Sequence, residues 1–431
     1  MEREIYEKLV EWKKDPKRKP LILDGARQVG KTWILKEFGK REYENVAYIN
    51  CDKVSIVKGL FIDFDVERLI RAFSAVTNEF IIPEKTLIIL DEIQEAPLGL
   101  TALKYFFEDA NEYHIVVAGS LLGIRLHEGT GFPVGKVNEL KMHPMSFMEF
   151  LTALGNSVLV DQIKQHKWNE LSFLSSKLED LLRQYYYVGG MPEVVCEYVD
   201  TRNLLEVRNI QNRILSEYEQ DFSKHIPRSL LAKVNMVWNS IPSQLAKENK
   251  KFVYRMIKKG ARAKDFEDAI QWLIDAGLVF KCFRVNKIDR PLKFYEDFSA
   301  FKLFVSDLGL LGAKVDVSAK EILTGENYFS EYKGAFTEQF VAQELHSIDM
   351  NLYYFSKENS SLEIDLIVQK EFVYPIEVKA EENLKSKSLR TVFENNPSLQ
   401  TCRFSMAGYR VQDWMTNVPL YLCREWIVEA K

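Results

Sequence analysis

Cysteine is scarce in this chain of 431 residues. Its five cysteines, Cys51, Cys196, Cys282, Cys402 and Cys423, are scattered and odd in number, with no C-x-x-C pair. That argues against a disulfide-built scaffold and a zinc module, and makes a reducing cytoplasm the expected setting. Long apolar runs are missing too: stretches such as Leu87–Leu90 and Ile115–Ala118 are far too short to span a bilayer. The opening MEREIYEKLVEWKKD has no apolar h-region, so no secretory signal is expected. There is no excess of either charge, with 58 basic residues against 62 acidic ones and a net of -4. A globally basic coat for nucleic acid is thereby ruled out, and only a local patch could serve. The chain also has no internal repeat, no low-complexity tract and no long Pro/Ser linker. What it does have is 46% apolar and 12% aromatic residues, enough to bury several cores and incompatible with intrinsic disorder. At ~100–200 residues per domain, two to four domains are expected.

The first ~150 residues alternate short apolar runs with segments of helical length. Leu21–Asp24, Val46–Asn50, Thr86–Leu90 and His114–Ala118 each read as a buried strand. The rhythm is βαβ, which predicts a parallel sheet with helices on both faces. Residues 145–225 read as helices, interrupted at Gly189-Gly190-Met191-Pro192.

The first of these strands runs into Gly25-Ala26-Arg27-Gln28-Val29-Gly30-Lys31-Thr32, which fits G-x-x-x-x-G-K-[ST]. Glycines let such a loop wrap tightly, so that backbone N–H groups face phosphate oxygens, and the helix that follows adds its dipole. Lys31 would reach the outer phosphates of a nucleotide, and the Thr32 hydroxyl would sit on Mg²⁺. About 60 residues later, four apolar residues in succession end in Asp91-Glu92. A central strand buried on both faces reads this way, and its C-terminal end is where open α/β sheets bind ligands. Asp91 is the candidate carboxylate on the metal side, and Glu92 the candidate base for the attacking water. Ser120, after the next buried strand, is a candidate to sense the terminal phosphate or simply ends its strand. Arg27, Arg125 and Lys136 are candidate cations for transition-state charge.

Residues 234–285 have the length and order of a winged-helix unit: SIPSQLAKEN and FEDAIQWLIDAGLV as helices, FKCFRV as a wing strand. The stretch Lys247–Lys264 carries eight basic residues against Glu248 alone. It reads either as a phosphate-backbone contact or as a solvated face, and a winged helix can equally well hold proteins together.

Near the C-terminus, Ile376-Glu377-Val378-Lys379 is an E-x-K on a strand pattern, and residues two apart share a strand face. Asp365 lies twelve residues upstream, a spacing that allows a hairpin with the two carboxylates on adjacent strands. On the helical stretch Gly334–Leu345, Glu338 falls on the arc of Val341, Ala342 and Leu345. It should face inward, at a cost of several kcal/mol unless a metal or partner satisfies it. Tyr353-Tyr354-Phe355 reads as core strand.

The P-loop, LIILDEIQEAP, IVVAGS, FPVGKVNELKMHPMSFMEFL and YYYVGGMPEVV together resemble the prokaryotic AAA-type ATPases with a C-terminal DUF4143 region. The resemblance covers nearly the whole chain. It implies an ATP-binding AAA+ core formed by Gly25–Thr32 with Asp91 and Glu92. In that family the position of Lys136 is commonly Arg, and a lysine cannot fork onto phosphate. Glu338, Asp365, Glu377 and Lys379 resemble the PD-(D/E)xK nuclease constellation. That likeness implies Asp365 and Glu377 on Mg²⁺, Glu338 in support and Lys379 orienting the nucleophile. The alternative is a buried acid–lysine network in a degenerate nuclease fold. The expected class is α/β: a P-loop AAA+ parallel-sheet core at 1–150, a helical lid at 151–225, a winged-helix-like part at 226–290 and a mixed α/β, restriction-endonuclease-like domain at 291–431. Three functions fit: a Mg²⁺-dependent ATPase, a nucleotide-dependent binding switch, and an ATP-gated nuclease acting on DNA or RNA. Candidate partners are ATP, nucleic acid and protein, with no membrane, and oligomerisation is plausible.

Overall fold

Parallel strands need crossovers, and the first part of the chain supplies a helix for three of them. The computed structural model describes residues 1–53, 59–119, 131–247, 250–324, 330–357, 361–381 and 385–431. Contacts divide the chain into two compact units, Met1–His143 with Asp275–Gly277, and Pro144–Ile274 with Leu278–Lys431.

In the first unit, β1 (Leu21–Asp24), β2 (Asn45–Asn50), β3 (Thr86–Asp91), β4 (His114–Ala118) and β5 (Asn138–Lys141) form one sheet, in the order β2–β3–β4–β1–β5. Every pairing is parallel. The four apolar runs read as strands are therefore strands. The helices Lys31–Glu42, Val66–Thr77 and Pro97–Asp109 connect them. Val66–Thr77 shows why such a segment folds: Asp65 caps it by accepting from the Arg68 N–H, Asn78 ends it at φ 58°, and Val66, Leu69, Ile70 and Phe73 make one buried stripe. Leu87, Ile88, Ile89 and Leu90 on β3 are fully buried, each worth about 2 kcal/mol of transfer free energy. The edge strand β5, NELK, alternates half-buried and exposed residues and has no apolar run, so it left no signal of the kind that marks β1, β3 and β4.

The second unit holds an eight-stranded mixed sheet in the order β12–β13–β11–β10–β9–β8–β6–β7. Its strands are β6 (Val279–Val285), β7 (Glu296–Val305), β8 (Tyr353–Ser356), β9 (Glu363–Gln369), β10 (Val373–Val378), β11 (Cys402–Ser405), β12 (Arg410–Val411) and β13 (Thr416–Pro419). The segment read as a wing strand is β6. It is hydrogen-bonded on both edges, antiparallel to β7 and parallel to β8, and so lies inside the sheet. Helices Ser157–Lys164, Ser175–Val188, Pro192–Thr201 and Leu204–His225 fill the stretch expected to be helical. Within the same unit Asp307 accepts from the Gly190 N–H at 2.6 Å and, as N-cap of the helix Leu308–Lys314, from the Leu310 N–H at 2.9 Å, which ties the Gly-Gly break to the start of that distant helix. Among the described residues no helix is long and apolar enough to cross a membrane.

Candidate nucleotide site

The C-terminal ends of β1 and β3 flank β4, and the loop Gly25–Gly30 leaves β1 there. Two of its positions require glycine. A Cβ on Gly25, at φ 147°, would lie 2.2 Å from the Met142 carbonyl oxygen, and Gly30 caps the helix Lys31–Glu42 at φ 96°. Gln28 also takes a positive φ, 67°. Ala26 and Val29 are buried, and Arg27 is exposed at the loop's outer side. Arg3, buried near the N-terminus, braces the loop: its guanidinium donates to the Val29 carbonyl at 2.8 Å and the His143 carbonyl at 2.7 Å.

Lys31 folds back over the loop, donating to the Gly25 carbonyl at 2.6 Å and the Ala26 carbonyl at 2.7 Å. Burial pushes its pKa down to about 8, against the pull of Asp24, Glu92 and Asp91. A cation held at such a cost and supported by loop carbonyls is poised for anionic oxygens. Thr32 Oγ1 donates to Asp91 Oδ2 at 2.8 Å, and Tyr48 donates to the same oxygen at 2.9 Å. Lys36 sits over the Tyr48 ring at 3.5 Å from its centroid. Burial, together with Asp91, pushes the Tyr48 phenol up to about 12, so it remains a donor. Glu92 follows at φ 52°, and Gln94 Nε2 donates to its Oε2 at 2.5 Å. A hydroxyl and a carboxylate meeting at the mouth of a glycine loop are hard oxygen donors, and they fit Mg²⁺.

The P-loop residues Lys31 and Thr32 and the Asp91–Glu92 pair thus lie together at the ends of β1 and β3. Ser120 and Arg125 lie outside the described residues. Lys136 pairs with Glu108 at 2.9 Å within its own unit. Arg3, Tyr48 and Gln94 were missed; only Gln94, three residues after Asp91 in the DEIQ segment, sat close to a recognised motif.

In the second unit β9 and β10 form an antiparallel hairpin with Ile376 opposite Leu366, which puts Asp365 and Glu377 on neighbouring strands. Glu338 is buried on the helix Ser330–His346, its Oε1 2.9 Å from Lys302 Nζ and its Oε2 2.5 Å from Lys250 Nζ. The two ammonium groups outweigh burial and hold the Glu338 carboxyl below its usual range. Burial alone would depress the Lys302 ammonium, but Glu338, Asp365 and Glu363 raise it. Burial, with Glu338 nearby, pushes Asp365 up to about 6. Lys379 pairs with Glu377 at 3.0 Å. Tyr353 and Tyr354 are buried in β8, as core. Of the basic stretch, Lys250 points inward to Glu338 and Lys247 donates to Gln244, while Arg255, Lys258, Lys259, Arg262 and Lys264 are exposed. Glu248 lies outside the described residues.

Comparison with known proteins fits this layout. The AAA domain family matches residues 17–151, and two domains of unknown function match further along the chain, DUF8612 at 179–321 and DUF4143 at 333–425. The uncharacterized protein MJ1637 of Methanocaldococcus jannaschii is 24% identical over 202 residues, 44% of this chain and 41% of that protein. The chain thus spans about two fifths of that curated relative. Among solved structures, the Walker-type ATPase PABY2304 of Pyrococcus abyssi aligns with a TM-score of 0.46 at 14% identity, covering 73% of this chain and 95% of that one. The Orc1 protein of Aeropyrum pernix, solved in complex with DNA, aligns with a TM-score of 0.28 at 15% identity, covering 72% and 90%. With a parallel sheet that carries its P-loop after β1 and Asp91-Glu92 at the end of β3, the chain combines an AAA-type P-loop domain, matched at residues 17–151, with a C-terminal DUF4143 region, matched at 333–425.

Proposed function

We propose that this protein binds ATP at Gly25–Thr32 and hydrolyses it with Mg²⁺, and that occupancy of the site is coupled to the second unit. One observation carries the reading: Thr32 Oγ1 and Asp91 Oδ2 meet at 2.8 Å, with Glu92 next in the chain and Lys31 on the adjoining loop. Backbone N–H groups of Gln28–Lys31 would hold the phosphates, with Lys31 exchanging its loop carbonyls for phosphate oxygens. Thr32 and Asp91 would hold Mg²⁺, which when bound neutralises phosphate charge. Glu92 would accept the proton of the attacking water. Phosphate release tests this. Wild type should turn over, and Glu92→Gln should lose at least about 100-fold in kcat while still binding nucleotide. Turnover that survives both Lys31→Ala and Glu92→Gln would overturn the proposal.

One contact favours a second reading, a nucleotide-dependent switch with little turnover. Gln94 occupies a Glu92 oxygen at 2.5 Å, the kind of acceptor the attacking water needs. If that contact restrains hydrolysis, Gln94→Ala will turn over faster than wild type. On the partner side, the exposed cations of Arg255–Lys264 support a proposed nucleic-acid contact, and they would serve an acidic protein surface as well. A cytoplasmic location agrees with the scarcity of cysteine.

A further inference from the structure

Four carboxylate oxygens of the acidic residues that resemble a metal-dependent nuclease centre already have partners within the protein. Both oxygens of Glu338 are taken by lysines, Lys302 at 2.9 Å and Lys250 at 2.5 Å. Asp365 Oδ2 accepts from the Val378 N–H at 2.8 Å, and Glu377 Oε1 lies 3.0 Å from Lys379 Nζ. Among the described residues no three carboxylate, histidine or cysteine side chains gather closely enough to hold a metal ion.

At the middle of this cluster is Lys302, which has no solvent-exposed surface. It comes from β7, where the register sets it opposite Cys282 of β6. Its ammonium lies 2.9 Å from Glu338 Oε1, 3.2 Å from the Asp365 carbonyl oxygen and 3.4 Å from Glu363 Oε1, and it stands 4.8 Å from the centroid of the Tyr354 ring. Two carboxylates, a backbone carbonyl and a π-face around one point make a cation site, and the cation in it is covalently part of the chain. A divalent ion approaching Glu338 and Asp365 would meet this ammonium as a like charge in a poorly solvated place. It would also have to strip two charge-assisted hydrogen bonds from Glu338.

We propose that Lys302 is a built-in cation that takes the place of a divalent metal in the C-terminal domain, so that this carboxylate site is closed to Mg²⁺ and Mn²⁺. The domain then acts as a metal-free module, and the nuclease reading of Glu338, Asp365, Glu377 and Lys379 gives way to a binding or structural role. This does not depend on nucleotide binding by the first unit.

Mn²⁺ titration followed by electron paramagnetic resonance tests it, using the full chain without nucleotide and with Asp91→Asn to remove the other candidate metal carboxylate. That chain should show no saturable Mn²⁺ uptake. Adding Lys302→Met should open one saturable site per chain, and adding Asp365→Asn to that variant should remove it. Saturable uptake by the Asp91→Asn chain that disappears with Asp365→Asn alone would overturn the proposal, and this comparison holds even if Lys302→Met fails to fold. A folded Lys302→Met chain that takes up no Mn²⁺ would also overturn it.

Discussion

At pH 9 most of the Lys31 ammonium should be deprotonated, because burial brings its pKa down to about 8. The linkage has a definite sign. Folding costs about 3 kcal/mol while Lys31 is charged, that cost is fully present below pH 8, and it is relieved as pH rises from 8 toward the unfolded value of 10.5. A bound triphosphate should restore the charge. Nucleotide binding is therefore expected to take up about 0.9 proton at pH 9 and about 0.1 at pH 7. Calorimetry in buffers of different ionisation enthalpy reads the difference, and equal uptake at both pH values would refute it. Tyr48 belongs at this scale too. It shares Asp91 Oδ2 with Thr32, so it orients the carboxylate that Mg²⁺ would use. Tyr48→Phe should raise the Mg²⁺ concentration needed for half-maximal phosphate release about tenfold while leaving kcat at saturating Mg²⁺ nearly unchanged. A purely structural tyrosine would move neither quantity separately from stability.

Among the elements, the turn between β1 and the helix Lys31–Glu42 is the most demanding. Gly25 combines φ 147° with a Met142 carbonyl oxygen 2.2 Å from where a Cβ would sit. Gly25→Ala should cost about 3 kcal/mol, seen as a lower Tm of the full chain, with β1 and the strand end at Lys141 forced apart. Elements with a strong local signal were legible beforehand. The apolar runs of β1, β3 and β4, the glycine loop, the acids after β3 and the inward-facing Glu338 were all readable from spacing. Other features had no local signal. β5 is an edge strand whose half-exposed NELK needs no apolar run. Arg3 acts on Val29 and on His143, 140 residues away in the chain, a contact that only tertiary folding creates. Lys302 was invisible because a lysine in an apolar strand, FKLFV, reads as an interruption until Glu338 and the Asp365 carbonyl are seen around it.

For the whole molecule, the two units answer different questions. The first has loop, hydroxyl and acid together, the parts needed to hold a nucleotide. The second gathers acids of the right types and spacing but pairs Glu338 and Glu377 with its own lysines. The likeness at the C-terminus was legible as a pattern of residue types. Its electrostatic closure was not, because Lys250 and Lys302 come from segments 88 and 36 residues away from Glu338. The measurement that bears most directly on the central claim is titration of the full chain with a nonhydrolysable ATP analogue in Mg²⁺, followed by heat. Saturable binding at one site per chain, weakened about 100-fold or more by Lys31→Ala, is the predicted result. A folded wild type that gives no heat of association, or a Lys31→Ala chain that binds as tightly as wild type, would contradict it.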